Sequence, residues 1–209
     1  MNTLKNPKTN HKRNIYFLFV VLTLLFLFTS WGSKKREPAT PYLAEEYLAQ
    51  SDLISFDRSS LENIPANPCP SLSVPTYITK VADTYFIVDC YHNQVIYHHN
   101  LSDPLYEWNV MTSDISMGHT LASDGLVYLI DDTENNRILV MEKDVNSQGE
   151  TVFVPTQEFL NIGNRPHYII YDEFTDTFYA WSSQSGEMYL FRHPEGTCRM
   201  YLTEIRSIP

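Results

Sequence analysis

The strongest constraint on the fold is a pattern that occurs three times along the chain. Its copies are PTYITKVADTYFIVDCYHNQVIYH from Pro75, GHTLASDGLVYLIDDTENNRILVM from Gly118 and PHYIIYDEFTDTFYAWSSQSGEMYLF from Pro166. Alignment places Asp89, Asp132 and Ser182 in register, at intervals of 43 and 50 residues. Regular repetition at this distance predicts one small structural unit for each copy, stacked against its neighbours.

Within each copy, two hairpins follow one another and an outer strand completes the unit. Asn93, Asn136 and Gly186 occupy the third turn position of the second hairpin, where the backbone needs a left-handed residue. The 14 Tyr and 11 Phe residues also favour strands, because aromatic rings suit a pleated, half-buried surface. We therefore predict an all-β fold of four-stranded antiparallel propeller blades at approximately 75–117, 118–165 and 166–209.

The second copy resembles the NHL repeat in the stretch DGLVYLIDDTENNRILVME. The first copy keeps Asp89, Asn93 and Val95 but has Gln94 where the repeat has Arg, and the third keeps the hydrophobic frame with Gly186. The resemblance covers somewhat over half of the chain. It implies a β-propeller, usually six-bladed, and it implies little about function because binding modules and enzymes share that scaffold.

Three blades are too few to close such a ring, which would need roughly twice the length. Unclosed ends leave blade edges and an apolar blade face without a neighbour, so self-association is expected. The chain is a truncated product, or two copies pair through their open ends, or a partner supplies the missing blades. Truncation is the preferred interpretation.

The N-terminal region predicts a membrane anchor. Residues 15–33 contain no charged side chain and follow a short basic stub at 1–14. About 20 apolar residues can cross a bilayer as a helix, and this stretch lacks the polar face of a core helix. Retention as a signal anchor is favoured over cleavage, because the small-residue cleavage pattern is weak. We expect a single-pass protein of the cell membrane, with its C-terminal domain extracytoplasmic.

A juxtamembrane linker with a short helix is predicted at 34–74, before the repeats begin. From Glu37 onward the chain has 25 acidic and eight basic residues, a net charge of −17. Such a field repels phosphate backbones, so nucleic-acid binding is not expected. Cys69, Cys90 and Cys198 are too scattered for a disulfide framework. Either Cys69 pairs with Cys90, or all three thiols are free.

Candidate ligand-binding residues lie at the starts of the first strands, which border the central channel of a propeller. His119 and His167 share one position of the pattern, and Tyr77, Tyr168 and Arg165 lie beside it. Two neighbouring imidazoles can bind a divalent metal or exchange protons, as channel histidines do in NHL-like lyases. The alternative is that both histidines bond backbone carbonyls and the tyrosines pack in the core.

Three functions remain open on the sequence. The first is a surface-displayed binding module for a peptide, saccharide or protein, which needs no cofactor. The second is an NHL-like lyase or hydrolase with a divalent metal held by His119 and His167. The third is a remnant without function. The sequence contains no phosphate-binding glycine loop, nucleophile elbow or zincin motif. The binding module is therefore preferred over an enzyme.

Overall fold

The computed structural model describes residues 51–56 and 61–208, and thirteen β-strands lie within these ranges. The prediction of an all-β fold is confirmed. The predicted basic stub, the transmembrane helix at 15–33 and the short helix of the linker lie outside the described residues. Within the described ranges, no helix has the length and apolar character needed to span a bilayer.

The strands form three antiparallel sheets, and each copy of the repeated pattern has its own sheet. Ahead of them lies the short strand β1 (Ser51–Leu53). The first sheet contains β2 (Pro75–Val81), β3 (Thr84–Asp89), β4 (Gln94–His98) and β5 (Asn109–Thr112). The second contains β6 (Leu121–Ser123), β7 (Val127–Asp132), β8 (Arg137–Val145) and β9 (Thr151–Phe159). The third contains β10 (Pro166–Asp172), β11 (Thr177–Ser182), β12 (Glu187–Arg192) and β13 (Tyr201–Ser207).

Successive strands are neighbours in every sheet, so each sheet is a meander. The second sheet gains a fifth strand, because β1 pairs antiparallel with β9 from Ser51 opposite Phe159 to Leu53 opposite Gln157. This pairing joins part of the predicted linker to the second sheet. The sequence did not indicate it.

The second sheet is buried on both faces. Leu129 belongs to an apolar cluster that includes Ile169 and Phe178 of the third sheet. The next residue of the same strand, Ile130, belongs to another cluster with Val88 of the first sheet. Because successive side chains of a strand point to opposite faces, β7 contributes to two separate cores. The second sheet therefore lies between the other two.

The first strands of the three sheets are neighbours, since β6 lies against both β2 and β10. Thr76 Oγ1 donates a hydrogen bond to the carbonyl of Gly118 at 3.4 Å, just before β6. The Ile169 amide of β10 donates to Thr120 Oγ1 at 2.8 Å. Residues at equivalent positions of the three copies are therefore brought to a common region.

The predicted turn chemistry of the second hairpins is confirmed. Asn93, Asn136 and Gly186 have φ values of 53°, 50° and 68°, all left-handed. Asparagine and glycine tolerate this conformation better than other residues. The two asparagine side chains also bond residues later in the chain. Asn93 Oδ1 accepts a hydrogen bond from the Met117 amide at 2.9 Å, and Asn136 Oδ1 accepts one from the Arg165 amide at 2.8 Å. Each side chain thus ties its own hairpin to the start of the next copy.

The residues that open these hairpins bind the loop before their own copy. Asp89 Oδ1 accepts from the Ser73 amide at 2.7 Å, and Asp132 Oδ1 accepts from the Ser116 amide at 2.7 Å. In the third copy, Ser182 Oγ accepts from the Asn164 amide at 2.8 Å. These side chains act structurally, but the expectation that they would bond the amides of their own turn is wrong, because their backbone partners lie 16 to 18 residues earlier in the chain.

Candidate functional site

The structure brings His119 and His167 together. Their ring centroids are 3.8 Å apart, and the two ring planes meet at 48°. His167 lies in β10, whereas His119 lies in the segment that leads into β6. The contact follows from the repeat, because two copies of one position meet where neighbouring first strands lie side by side.

His119 is held in place by a buried polar network. Its backbone amide donates to Asp131 Oδ2 at 2.9 Å, and its Nδ1 lies 3.1 Å from Thr133 Oγ1. Asp131 also accepts from the amide and the hydroxyl of Thr120, at 2.6 and 2.5 Å. Burial raises the pKa of Asp131 to about 6, although these hydrogen bonds oppose the rise.

The hydroxyl of Thr133 determines the tautomer of His119. Thr133 Oγ1 lies 3.0 Å from Asp131 Oδ2 and 2.7 Å from the Pro166 carbonyl oxygen. While Asp131 is ionised, these two oxygens can act only as acceptors, so the single hydroxyl proton of Thr133 is donated to one of them. Thr133 Oγ1 is therefore an acceptor toward His119, whose Nδ1 carries the proton. Burial, followed by the neighbouring His167, lowers the pKa of His119. With the proton on Nδ1, the lone pair of a neutral His119 imidazole lies on Nε2.

The remaining predicted residues lie nearby but have separate contacts. Arg165 forms an ion pair with Glu134, with Nη2 and Oε1 2.5 Å apart, and its charge contributes to the low pKa of His119. Burial, followed by repulsion from Tyr168, raises the pKa of Tyr77. Tyr168 itself is 47% exposed. The five predicted side chains thus form two interacting sets, the histidines with Arg165 and the two tyrosines.

Sequence reasoning missed two sulfur atoms beside His119. Cys90 Sγ lies 3.9 Å from Met117 Sδ and 4.0 Å from His119 Nε2. Cys90 is 1% exposed, and burial raises the pKa of its thiol. The repeat register contained the signal, because Cys90 follows Asp89 as Thr133 follows Asp132. That position faces the start of the next copy in the first two repeats.

A cavity with a volume of about 1090 Å³ lies toward the other end of the first strands. We call it the first-strand concavity. Tyr77 is the only one of the five predicted residues in its lining. The other chemically distinctive lining residues come from β2, from the turns after β6 and β10, and from β10 and β11 themselves: Lys80, Asp124, Tyr171, Asp172, Glu173, Phe174 and Tyr179.

The described residues contain no group of three or more His, Cys, Asp or Glu side chains arranged to hold a metal ion. His119 and His167 therefore offer two imidazoles to the predicted divalent metal, and a third ligand would have to come from elsewhere. All three cysteines are free thiols, in agreement with the second alternative raised by the sequence.

Comparison with family models, curated proteins and solved structures finds no match for the chain. The resemblance to the NHL repeat thus depends on the residues of the repeated pattern themselves.

Proposed function

We propose that the three sheets are successive blades of an NHL-like propeller and that the chain is a binding module. The ligand would occupy the first-strand concavity. Support comes from the side-by-side first strands, from the asparagine ties between successive copies and from the size of the cavity. In propellers, the first strands of the blades surround the central channel, where ligands bind.

The lining of the concavity favours a basic peptide segment as the ligand. Asp172 and Glu173 supply carboxylates, and Lys80 is the one cation among the lining residues. Phe174, 75% exposed, and Tyr179 add aromatic rings, which attract Lys and Arg through their negative faces. This mixture of carboxylates and rings is the observation that carries the proposal.

Fluorescence anisotropy with labelled peptides tests the proposal. Three peptides of equal length, rich in Lys and Arg, in Ser and Gln, or in Glu, would be titrated with the full chain in detergent. We expect the basic peptide to bind at least about tenfold more tightly than the acidic one, with an affinity that falls with salt. Equal binding of the three peptides, or no binding, would contradict the proposal.

Matched variants test whether the peptide binds in the first-strand concavity. Asp172→Asn with Glu173→Gln removes two charges from the concavity, and Glu107→Gln with Glu195→Gln removes two exposed charges elsewhere. Phe174→Ala is paired with Tyr106→Ala, which truncates a ring 69% exposed outside the concavity. We expect the first member of each pair to weaken binding and the second to leave it unchanged.

The membrane anchor remains part of the proposal. It is supported by the uncharged stretch at 15–33 and by the acidic domain that follows. Digestion of intact cells with an impermeant protease is expected to remove the repeat domain, while lysis adds no further cleavage of it. Protection of the domain in intact cells would contradict the extracytoplasmic assignment.

A second candidate function is a metal-dependent lyase or hydrolase. The 3.8 Å approach of the His119 and His167 rings favours it. Elemental analysis of the purified full chain, before and after His167→Ala, tests the candidate. A stoichiometric divalent metal that the substitution removes would support it. A protein without such a metal, or one unaffected by the substitution, would contradict it.

A further inference from the structure

We propose that Cys90, Met117 and His119 form a binding site for a soft monovalent metal ion, Cu(I). The inference is independent of peptide binding in the first-strand concavity. It also differs from the divalent-metal candidate, because two of its three ligands are sulfur atoms and His167 is not among them.

The two donor-atom distances from Cys90 Sγ fit those expected around a trigonal ion. Bonds of about 2.3 Å to sulfur and about 2.0 Å to nitrogen, in one plane, separate two sulfurs by about 4.0 Å and a sulfur from a nitrogen by about 3.7 Å. Cys90 Sγ lies 3.9 Å from Met117 Sδ and 4.0 Å from His119 Nε2. Both distances from Cys90 Sγ therefore lie within a few tenths of an ångström of the expected values.

Two of the three ligands are positioned by neighbours that do not themselves bind the ion. Thr133 Oγ1 accepts a hydrogen bond from Nδ1 of His119, so the lone pair of Nε2 faces Cys90. The Asn93 side chain accepts from the Met117 amide at 2.9 Å. Gly118 lies between the two ligands, and a Cβ there would come within 2.9 Å of the Asp131 carbonyl oxygen. Hydrogen bonds of this kind orient metal ligands in proteins.

The surroundings select against hard cations. The oxygens of Asp131 accept from the amides of His119 and Thr120 and from two threonine hydroxyls. Asp89 accepts from the Ser73 amide and lies 2.6 Å from His92 Nδ1. With both carboxylates engaged, the donors that Cys90, Met117 and His119 offer to an ion are a thiolate, a thioether and an imidazole, a soft set of the kind that suits Cu(I). Binding replaces the S–H bond of Cys90 with an S–Cu bond and releases the proton to solvent, without change of oxidation state.

Competition between the full chain and a chromogenic Cu(I) chelator, under anaerobic conditions in detergent, tests the site. We expect one Cu(I) per chain and an X-ray absorption spectrum with two sulfur ligands and one nitrogen ligand. Loss of even an outer partner weakens metal sites by about 10- to 100-fold, so Cys90→Ser should weaken binding by more than about 100-fold. Met117→Leu, which preserves side-chain volume, should weaken it by about tenfold or more.

Cys198→Ser is the matched control, because it removes a partly buried free thiol of the third sheet. It should leave Cu(I) binding unchanged. Circular dichroism establishes that each variant folds, and Met117→Leu decides the matter if Cys90→Ser does not. Failure to retain Cu(I), retention unaffected by Met117→Leu in a folded protein, or preference for Zn(II) over Cu(I) would overturn the inference. Peptide binding is measured separately and would be unaffected by any of these outcomes.

Discussion

The second and third sheets come from the same repeated pattern, yet they are stabilised differently. In the second sheet, Arg137 lies beside Asp132 at 2.7 Å and Glu158 at 2.8 Å, with its side chain 11% exposed. The third sheet has Glu187 at the position of Arg137, and its hairpin opens with Ser182 instead of an aspartate. An ion pair thus holds the second hairpin, whereas hydrogen bonds from the hydroxyls of Ser182, Ser183 and Ser185 hold the third.

The second and third sheets also differ in how much of their faces is buried. Both faces of the second sheet are covered by its neighbours. In the third sheet, one face packs on the second sheet, and Tyr168 and Ile170 of β10 are 47% and 43% exposed. The comparison indicates that the stability of a sheet depends most on its core side chains where neighbouring sheets cover both of its faces.

The largest expected effect comes from the core of the second sheet. Leu129→Ala removes a side chain that is 0% exposed and packs toward the third sheet, so it should lower the free energy of unfolding by about 2–5 kcal/mol. Ile170→Ala, on the exposed face of the third sheet, should cost less than about 1 kcal/mol. Urea denaturation measures both values. Equal losses of unfolding free energy in the two variants would contradict the proposed difference between the two sheets.

A smaller difference is expected at the residues that open the hairpins. Asp132→Ala leaves the Ser116 amide and one edge of Arg137 without an acceptor, and about 2–3 kcal/mol should be lost. Ser182→Ala removes a neutral acceptor of the Asn164 amide, at a cost of about 1 kcal/mol. Asp132→Asn, which keeps an acceptor but removes the charge, should fall between them. A larger loss for Ser182→Ala would reverse the comparison.

Variants at the third turn position separate the effect of backbone conformation from the effect of side-chain hydrogen bonding. Asn136→Gly keeps the left-handed conformation but removes the acceptor of the Arg165 amide, so about 1 kcal/mol should be lost. Gly186→Asn places a tolerated residue at φ 68°, where its Cβ would meet the Ile208 carbonyl oxygen at 3.6 Å. Its thermal midpoint should change little. A marked destabilisation by Gly186→Asn would show that the third turn is more constrained than its geometry indicates.

The smallest expected effect is the pH dependence of a contact that joins the two sheets. His193 Nε2 lies 2.7 Å from Asp124 Oδ2, and both side chains are buried. The hydrogen bond to Asp124 raises the pKa of His193 above 6.5 despite its burial. Burial alone would raise the pKa of Asp124, but the bonds from His193 and from the amides of Val127 and Leu126 lower it below 3.8.

The sign of the pH effect differs for the two groups. The His193 contribution is complete below about pH 6.5 and is lost as the pH rises through its raised pKa. The Asp124 contribution is complete above about pH 3.8 and is lost as the pH falls through its lowered pKa. Thermal melting from pH 3 to 9 should show this contribution at its greatest between those values. His193→Gln should flatten the profile, and an unchanged profile would contradict the assignment.

Much of the local structure could be predicted from the sequence. The register of Asp89, Asp132 and Ser182 indicated three meander units, because hairpin chemistry depends on a few neighbouring residues. The same register predicted that His119 and His167 would meet. Pairing of β1 with β9 was not predictable, because three residues carry no alternation and their partner lies over a hundred residues away.

The missed parts of the candidate site share a physical cause. Cys90 belongs to the second hairpin of the first copy and Met117 lies just before the second copy, where Asn93 accepts a hydrogen bond from the Met117 amide. The acidic lining of the first-strand concavity comes from turns whose Asp and Glu residues look like ordinary turn formers in sequence. Contacts between copies depend on how the sheets stack, which the pattern of one copy does not specify.

The central claim is that the second sheet lies between the other two, with alternate residues of β7 facing opposite neighbours. A methyl nuclear Overhauser spectrum of the full chain tests it directly. We predict contacts from Leu129 to Ile169 of the third sheet or its cluster, and from Ile130 to Val88 and Val95 of the first. Contacts from both Leu129 and Ile130 to the same sheet would contradict the account.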